Sequence, residues 1–321
     1  MKAFAVRRGE EHPDLIGAML CHDVPGLFRK GHALRAEDIP LLIDAPWSEL
    51  HLLQLERDDV PQREAGGRLA RMLAAPGLEI APAGHRHVLR AQHDGLLKID
   101  VEALRRLNGV HGIAVFTLRS DAVVAKGEIV AEAQITPLAI GREELEEAEA
   151  IGPVLRLLPF RAREAVLLAR DDRAVRGLSA KLARFGCELR QVVPLPAEAR
   201  SIRAALESRP EPLFVVCGSN ALDPLDPVFV ALESMGATMQ RRGMPVHPGT
   251  LLWIATWKER TIIGLPSCGF ASQLTAFDLV LPRLLAGDPI DYAGLGHGGI
   301  VKSTDRQPTT DDRPQAHDTV R

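Results

Sequence analysis

Three short segments in the second half of the sequence combine small residues with groups suited to holding an anion. The first, Gly218-Ser219-Asn220-Ala221-Leu222-Asp223-Pro224-Leu225-Asp226, directly follows the apolar run Pro212–Cys217. Its small residues let the backbone approach a ligand closely, and amides at the start of a following helix favour a phosphate or another anion. Asp223 and Asp226 add two carboxylates of the kind that hold a hard cation such as magnesium beside a phosphate. Helix capping accounts for the same residues, because Asp226-Pro227 is a favoured N-cap and N1 pair.

The second segment is Met244-Pro245-Val246-His247-Pro248-Gly249-Thr250, where His247 beside Pro-Gly could contact a phosphate or ring edge. A single loop histidine is more often only solvated. The third, Gly264-Leu265-Pro266-Ser267-Cys268-Gly269-Phe270, offers the amides of Ser267 and Gly269 as an anion cradle. Its plain alternative is a Pro/Gly-shaped turn into a helix. Cys268 has no His or Asp near it in sequence to activate it as a nucleophile.

These loops need strands and helices to bring them together, and the pattern after Pro159 alternates the two as a parallel sheet covered by helices does. Strands are expected at Glu164–Ala169, Leu189–Pro194, Pro212–Cys217, Leu251–Thr256 and Thr261–Gly264, the last two joined by a hairpin-like turn at Lys258-Glu259-Arg260. Helices are expected at Ala174–Phe185, Ala197–Ser208, from Asp226 or Pro227 to about Met235, and at Ser272–Leu285 with Phe277, Val280, Leu281 and Leu284 on one face. In such a sheet, ligands bind beyond the carboxyl ends of the strands.

The first part of the chain reads as mixed α+β. Leu50–Leu55 and Ile113–Leu118 are strand-like, Arg63–Leu73 is helical and stops before Pro76-Gly77, and residues 84–140 are β-rich. The acidic segment Gly141–Ala150 has high helix propensity and reads as a solvated face, with the domain boundary near its end. The expected division is 1–150, 151–300 and a tail from 301 to 321 that is too poor in aliphatic residues to order. With 39 Lys plus Arg against 42 Asp plus Glu among 321 residues, no basic field points to nucleic acid or an anionic membrane. Cys21, Cys187, Cys217 and Cys268 form no CxxC pair, which signals neither a zinc site nor a disulfide framework. Nothing resembles a signal peptide or a membrane span, so a cytoplasmic protein with a small-molecule partner is expected.

Taken in order, the three loops resemble those of the molybdopterin molybdotransferases. That family carries Gly-Gly-x-Ser-x-Gly-Asp-x-Asp after a strand, then a Lys-Pro-Gly-Lys-type loop, then Gly-Leu-Pro-Gly-Asn-Pro entering a helix. The counterparts here are Gly218–Asp226, His247-Pro248-Gly249-Thr250 and Gly264-Leu265-Pro266-Ser267-Cys268-Gly269, over a resemblance covering about residues 160–287. This chain has Ser219, Ala221 and Pro224 where the family has its second Gly, its Ser and its first Asp of the pair. His247 and Thr250 stand at the two Lys positions, and Arg170-Asp171-Asp172-Arg173 replaces a Thr-Gly-Asp-Glu-Leu loop.

The resemblance implies a three-layer α/β/α, mostly parallel sheet that binds molybdopterin and serves molybdenum cofactor biosynthesis or delivery. It implies that Gly218, Ser219 and Asn220 face the pterin phosphate, with Asp226 and Asp223 as catalytic or magnesium-holding groups that position molybdate. His247, Pro248, Gly249, Pro266, Ser267, Cys268 and Gly269 then line the rest of the site. A transferase of the molybdotransferase or molybdopterin adenylyltransferase type is one reading, with electrostatic stabilisation of the transferred group. A non-catalytic carrier or sensor that contacts a molybdoenzyme or cofactor-pathway protein is another, and a nucleotide-cleaving enzyme on the same fold is a third. Homodimerisation is expected by analogy with the family.

Overall fold

Ala165 to Ala169 are all buried, as a strand covered on both faces requires, and Leu213–Cys217 repeats the pattern. The computed structural model describes residues 1–9, 14–161, 163–170, 172–219, 221–266 and 274–301. The chain divides into two units, Met1–Pro159 and the part from Phe160 onward, and its described helices and strands make it a mixed α/β protein.

In the second unit, strands and helices are numbered in chain order: β1 (Glu164–Ala169), α1 (Asp172–Arg184), β2 (Glu188–Pro194), α2 (Ala199–Glu207), β3 (Leu213–Cys217) and α3 (Pro227–Ser234). Then come β4 (Thr238–Arg242), β5 (Trp253–Trp257), β6 (Arg260–Leu265) and α4 (Ala276–Ala286). The sheet order is β2-β1-β3-β6-β5-β4. The pairs β2-β1, β1-β3 and β3-β6 are parallel, while β6-β5 and β5-β4 are antiparallel. Strand β4, with the polar sequence Thr-Met-Gln-Arg-Arg, is not among the expected strands; it is an edge strand, where one solvated side tolerates that composition.

Side chains alternate across the sheet. Val166, Leu168, Phe214 and Val216 pack with Ile202 and Leu206 of α2 and with Val228, Phe229 and Leu232 of α3. The intervening Leu167 and Val215, also fully buried, face the side where α1 and α4 are joined by the Lys181–Asp278 ion pair. The apolar face of α4 is Phe277, Val280, Leu281 and Leu285; Leu284 is only half-buried, because Leu285 sits four residues after Leu281 on the same stripe. On β5, the Trp253 ring lies over Gly264 of β6. A Cβ at Gly264 would come within 1.7 Å of a ring carbon, so this strand position requires glycine.

The first unit is β-rich. Helix Gln62–Leu73 buries Ala65, Leu69, Ala70 and Leu73 in a core shared with the antiparallel strands Leu78–Ala83, Arg86–Ala91, Ile113–Thr117 and Ile129–Ile135. The acidic helix Arg142–Ile151 exposes Glu143, Glu144, Glu146 and Glu147 and buries Leu145 and Ala148. Glu149 is the exception to its solvated face, receiving Nε and Nη2 of Arg68 on its two oxygens at 2.9 and 2.5 Å. The division falls after Pro159 rather than near residue 150, because Leu155–Pro159 pairs antiparallel with Gly95–Ile99 of the first unit. No described helix is long and apolar enough to cross a membrane. The tail expected over 301–321 lies outside the described residues apart from Val301.

Two stability predictions follow from this packing. Gly264→Ala is expected to cost about 3 kcal/mol or to prevent folding, since neither the fully buried ring nor the strand backbone can yield; urea unfolding measures it. The Arg68 guanidinium holds the Glu149 carboxyl below its ordinary range. Its stabilisation is therefore full above the unfolded-state value and is lost as pH falls through the lower folded one. Glu149→Gln is expected to cost about 1 kcal/mol at pH 7, and the gap to the parent protein should close in acid unfolding below about pH 4.

Candidate functional site

The strand registers place all three loops on one rim. Ala169 is level with Cys217, Cys217 with Leu265, and Gly264 with Trp253. The carboxyl ends of β1, β3 and β6 therefore lie beside the start of antiparallel β5, and the loop that precedes β5 opens onto the same edge. Chain direction also reverses here: β1 leads outward to edge strand β2, whereas the return through α2 crosses to β3 on the other side of β1. The crevice between the loops after β1 and β3 is thus the topological switch point, where ligands bind in open α/β sheets.

Within the first loop, Gly218 adopts φ +112° and is followed by a fully buried Ser219. Their amides do not face outward. Both donate to the Leu265 carbonyl, at 2.9 and 3.2 Å, and so tie this loop to the end of β6. The group left over is the Ser219 hydroxyl, whose Oγ is buried without a hydrogen-bond partner among the described residues. Such a group costs free energy until a partner meets it.

Asp226 is the N-cap of α3: its Oδ1 accepts from Val228 at 2.9 Å and its carbonyl accepts from Phe229 at 2.8 Å. The first-turn amides of this helix are therefore satisfied by a residue that is itself an anion. Asp223 is exposed and closes a tight turn through Oδ1, which accepts from Leu225 at 2.9 Å. Capping and turn geometry thus account for one oxygen of each carboxylate. Among the described residues no group of three or more His, Cys, Asp or Glu side chains stands where it could hold a metal ion.

The second loop meets the start of α4. The Ala276 amide donates to the Pro248 carbonyl at 3.0 Å, and a Cβ on Gly249, which has φ +117°, would fall 2.6 Å from Ala276. His247 is exposed; its backbone is pinned on both sides, donating to Gly299 and accepting from Val301. Thr250 turns its hydroxyl back to the Val246 carbonyl at 3.0 Å. Pro266 is half-buried, with its carbonyl 3.8 Å from Cys217 Sγ. Asn220, Ser267, Cys268 and Gly269 lie outside the described residues.

One rim residue was not singled out as a candidate in the sequence. Arg170 follows β1 directly, is exposed, and lays its aliphatic stem against Gly218, whose added Cβ would meet Arg170 Cδ at 3.4 Å. It brings a permanent positive charge to the switch point. A single arginine after a strand is unremarkable in sequence; only the pairing of β1 with β3 brings it over the glycine.

No protein-family model matches the sequence, and no curated protein is similar to it. Among solved structures, the chain is similar to the molybdopterin biosynthesis MoeA protein from Pyrococcus horikosii, at 13% identity over 71% of this chain and 79% of that one, with a TM-score of 0.32. It is also similar to a molybdenum cofactor biosynthesis protein from Pyrococcus furiosus, at 18% identity over 73% of each chain, with a TM-score of 0.27. Likenesses this low carry no functional argument, which rests on the rim itself.

Capping and chemistry at Asp226 separate by substitution. Asp226→Ala is expected to cost about 1 kcal/mol of unfolding free energy, and Asp226→Asn, which keeps a capping oxygen, a few tenths at most. Equal losses in chemical denaturation would remove the cap from the role of this side chain.

Proposed function

We propose that the rim of the second unit binds molybdopterin through its phosphate, and that the protein is a binding protein of molybdenum cofactor biosynthesis or delivery. The observation that carries this reading is that the loops after β3 and β6 and the loop before β5 leave the same edge of the sheet, with the buried Ser219 hydroxyl, unpartnered among the described residues, in the first of them. The order of those loops in the sequence supplies the pterin as ligand. Ser219 Oγ and the Arg170 guanidinium are the groups suited to a phosphate oxygen. His247, Pro248, Gly249 and Pro266 are assigned the part of the wall contributed by the other two loops. The pterin supplies a dithiolene on which molybdenum is carried; the chain's own residues bind and orient the phosphorylated end.

The capping roles of Asp223 and Asp226 favour a carrier or sensor over a transferase. A transferase would use the remaining carboxylate oxygens, with magnesium or molybdate completing its ligands from the substrate. Contact with a molybdoenzyme, association of two copies and residence in the cytoplasm belong to the same reading.

The test uses the purified full chain, oxidised and assayed for the fluorescent pterin derivative, then titrated by calorimetry with molybdopterin, its AMP ester and molybdate separately. Saturable binding of the pterin is expected. Ser219→Ala should weaken it about tenfold while leaving the ligand-free protein as stable as before or slightly more so, because an unpaired buried hydroxyl is removed. Undiminished affinity in this variant, or indifference of the parent protein to the pterin, defeats the proposal. Turnover of the AMP ester that vanishes in Asp226→Asn would decide for the transferase.

A further inference from the structure

A concave site lies in the first unit. It is a cavity of about 270 Å³ lined by Met19, Lys30, Gly31, Pro61, Gln62, Arg63, Gly84, His85 and Leu138. Three basic side chains, Lys30, Arg63 and His85, reach it from three separate segments of the chain, and no carboxylate is in its lining.

The charge is not a by-product of composition, since the chain carries a formal net charge of -3. Nor is it neutralised locally. Elsewhere in this unit cations have acidic partners: Arg68 has Glu149, Arg86 has Glu132, Lys98 has Asp121 and Arg142 has Asp58. The side chains of Lys30, Arg63 and His85 make no hydrogen bond or ion pair among the described residues. The same field extends to His87, on the strand that follows His85. Burial first, and then the charges of Arg71 and Arg63, push its imidazole below the ordinary range.

The walls are fixed before any ligand arrives. Gly31, at φ +82°, donates to the Leu20 carbonyl, and Leu20 donates in turn to His32, which clips the Lys30 turn to the strand at Met19–Leu20. His32 is held by Asp38 at 2.7 Å. Gln62 is tied twice, through its amide to Leu138 and through Nε2 to Ile135. Met19, Pro61 and Leu138 supply an apolar floor beside the cations. The volume lies just below the usual range of roughly 300–1,000 Å³ for drug-sized ligands, so the cavity suits the phosphorylated end of a small molecule rather than a whole dinucleotide.

We propose that this cavity binds a small phosphomonoester, with Lys30, Arg63 and His85 holding the phosphate and the Met19-Pro61-Leu138 floor meeting its organic part. The site is independent of the rim in the second unit and does not rest on the pterin reading.

The full chain is titrated with inorganic phosphate and with glycerol 3-phosphate at low ionic strength by calorimetry, and the His85 ring resonances, assigned with a His85→Gln variant, are followed by NMR. Saturable binding that weakens with added salt, tighter for glycerol 3-phosphate, with a moving His85 resonance, is the expected result. Lys30→Met and Arg63→Met should each weaken binding about tenfold and leave the melting curve unchanged, because both side chains are exposed and unpaired. An affinity unaltered in the Lys30→Met/Arg63→Met double variant overturns the proposal, as does a stationary His85 resonance. A phosphoserine peptide that binds more tightly than glycerol 3-phosphate would overturn the assignment to a free monoester.

Discussion

The rim of the second unit depends on a buried carboxylate. Asp278 Oδ2 accepts from the amide of Thr275 at 2.8 Å and from its hydroxyl at 3.0 Å, and it pairs with Lys181 of α1, with side-chain exposures of only 8% for Asp278 and 12% for Lys181. Taking two charges out of water costs several kcal/mol, and here the ion pair and the capping box offset that cost together. The network decides where α4 begins. Because Ala276 then meets Pro248 and Gly249, it also sets the position of the second loop.

The first loop is held differently, by the Leu265 carbonyl at the end of β6. Two anchoring devices, one ionic and one purely backbone, therefore converge on neighbouring strands. Among the described residues of the rim, the Gly218, Ser219 and Ala276 amides are used to join loops to neighbouring elements.

Much of this arrangement is legible in the sequence, and the exceptions have physical causes. Glu164–Ala169 and Leu213–Cys217 are visible because strands covered on both faces must be continuously apolar, and the Asp226-Pro227 cap is visible because its residue types are nearly specific to that role. Strand β4 is hidden because an edge strand needs little hydrophobicity, and Leu155–Pro159 is hidden because its partner lies some sixty residues earlier, at Gly95–Ile99. For the site, Gly and Pro after strands mark the three loops. The capture of the Gly218 and Ser219 amides by Leu265, and the placement of Arg170 over Gly218, arise from pairings between distant strands and leave no local trace.

The margins of the six-stranded sheet carry a further consequence. On one side β2 presents Arg190, engaged with Glu164 and Glu188, and ends in Pro194, which lacks a backbone donor. On the other, β4 presents Gln240 and Arg242, the latter folded over the Phe229 ring. Bringing a neighbouring molecule's strand alongside either margin would strip water from fixed charges or meet a missing donor. The protein is thereby guarded against growing into ribbons of stacked sheets, a hazard that open parallel folds with apolar margins do not escape.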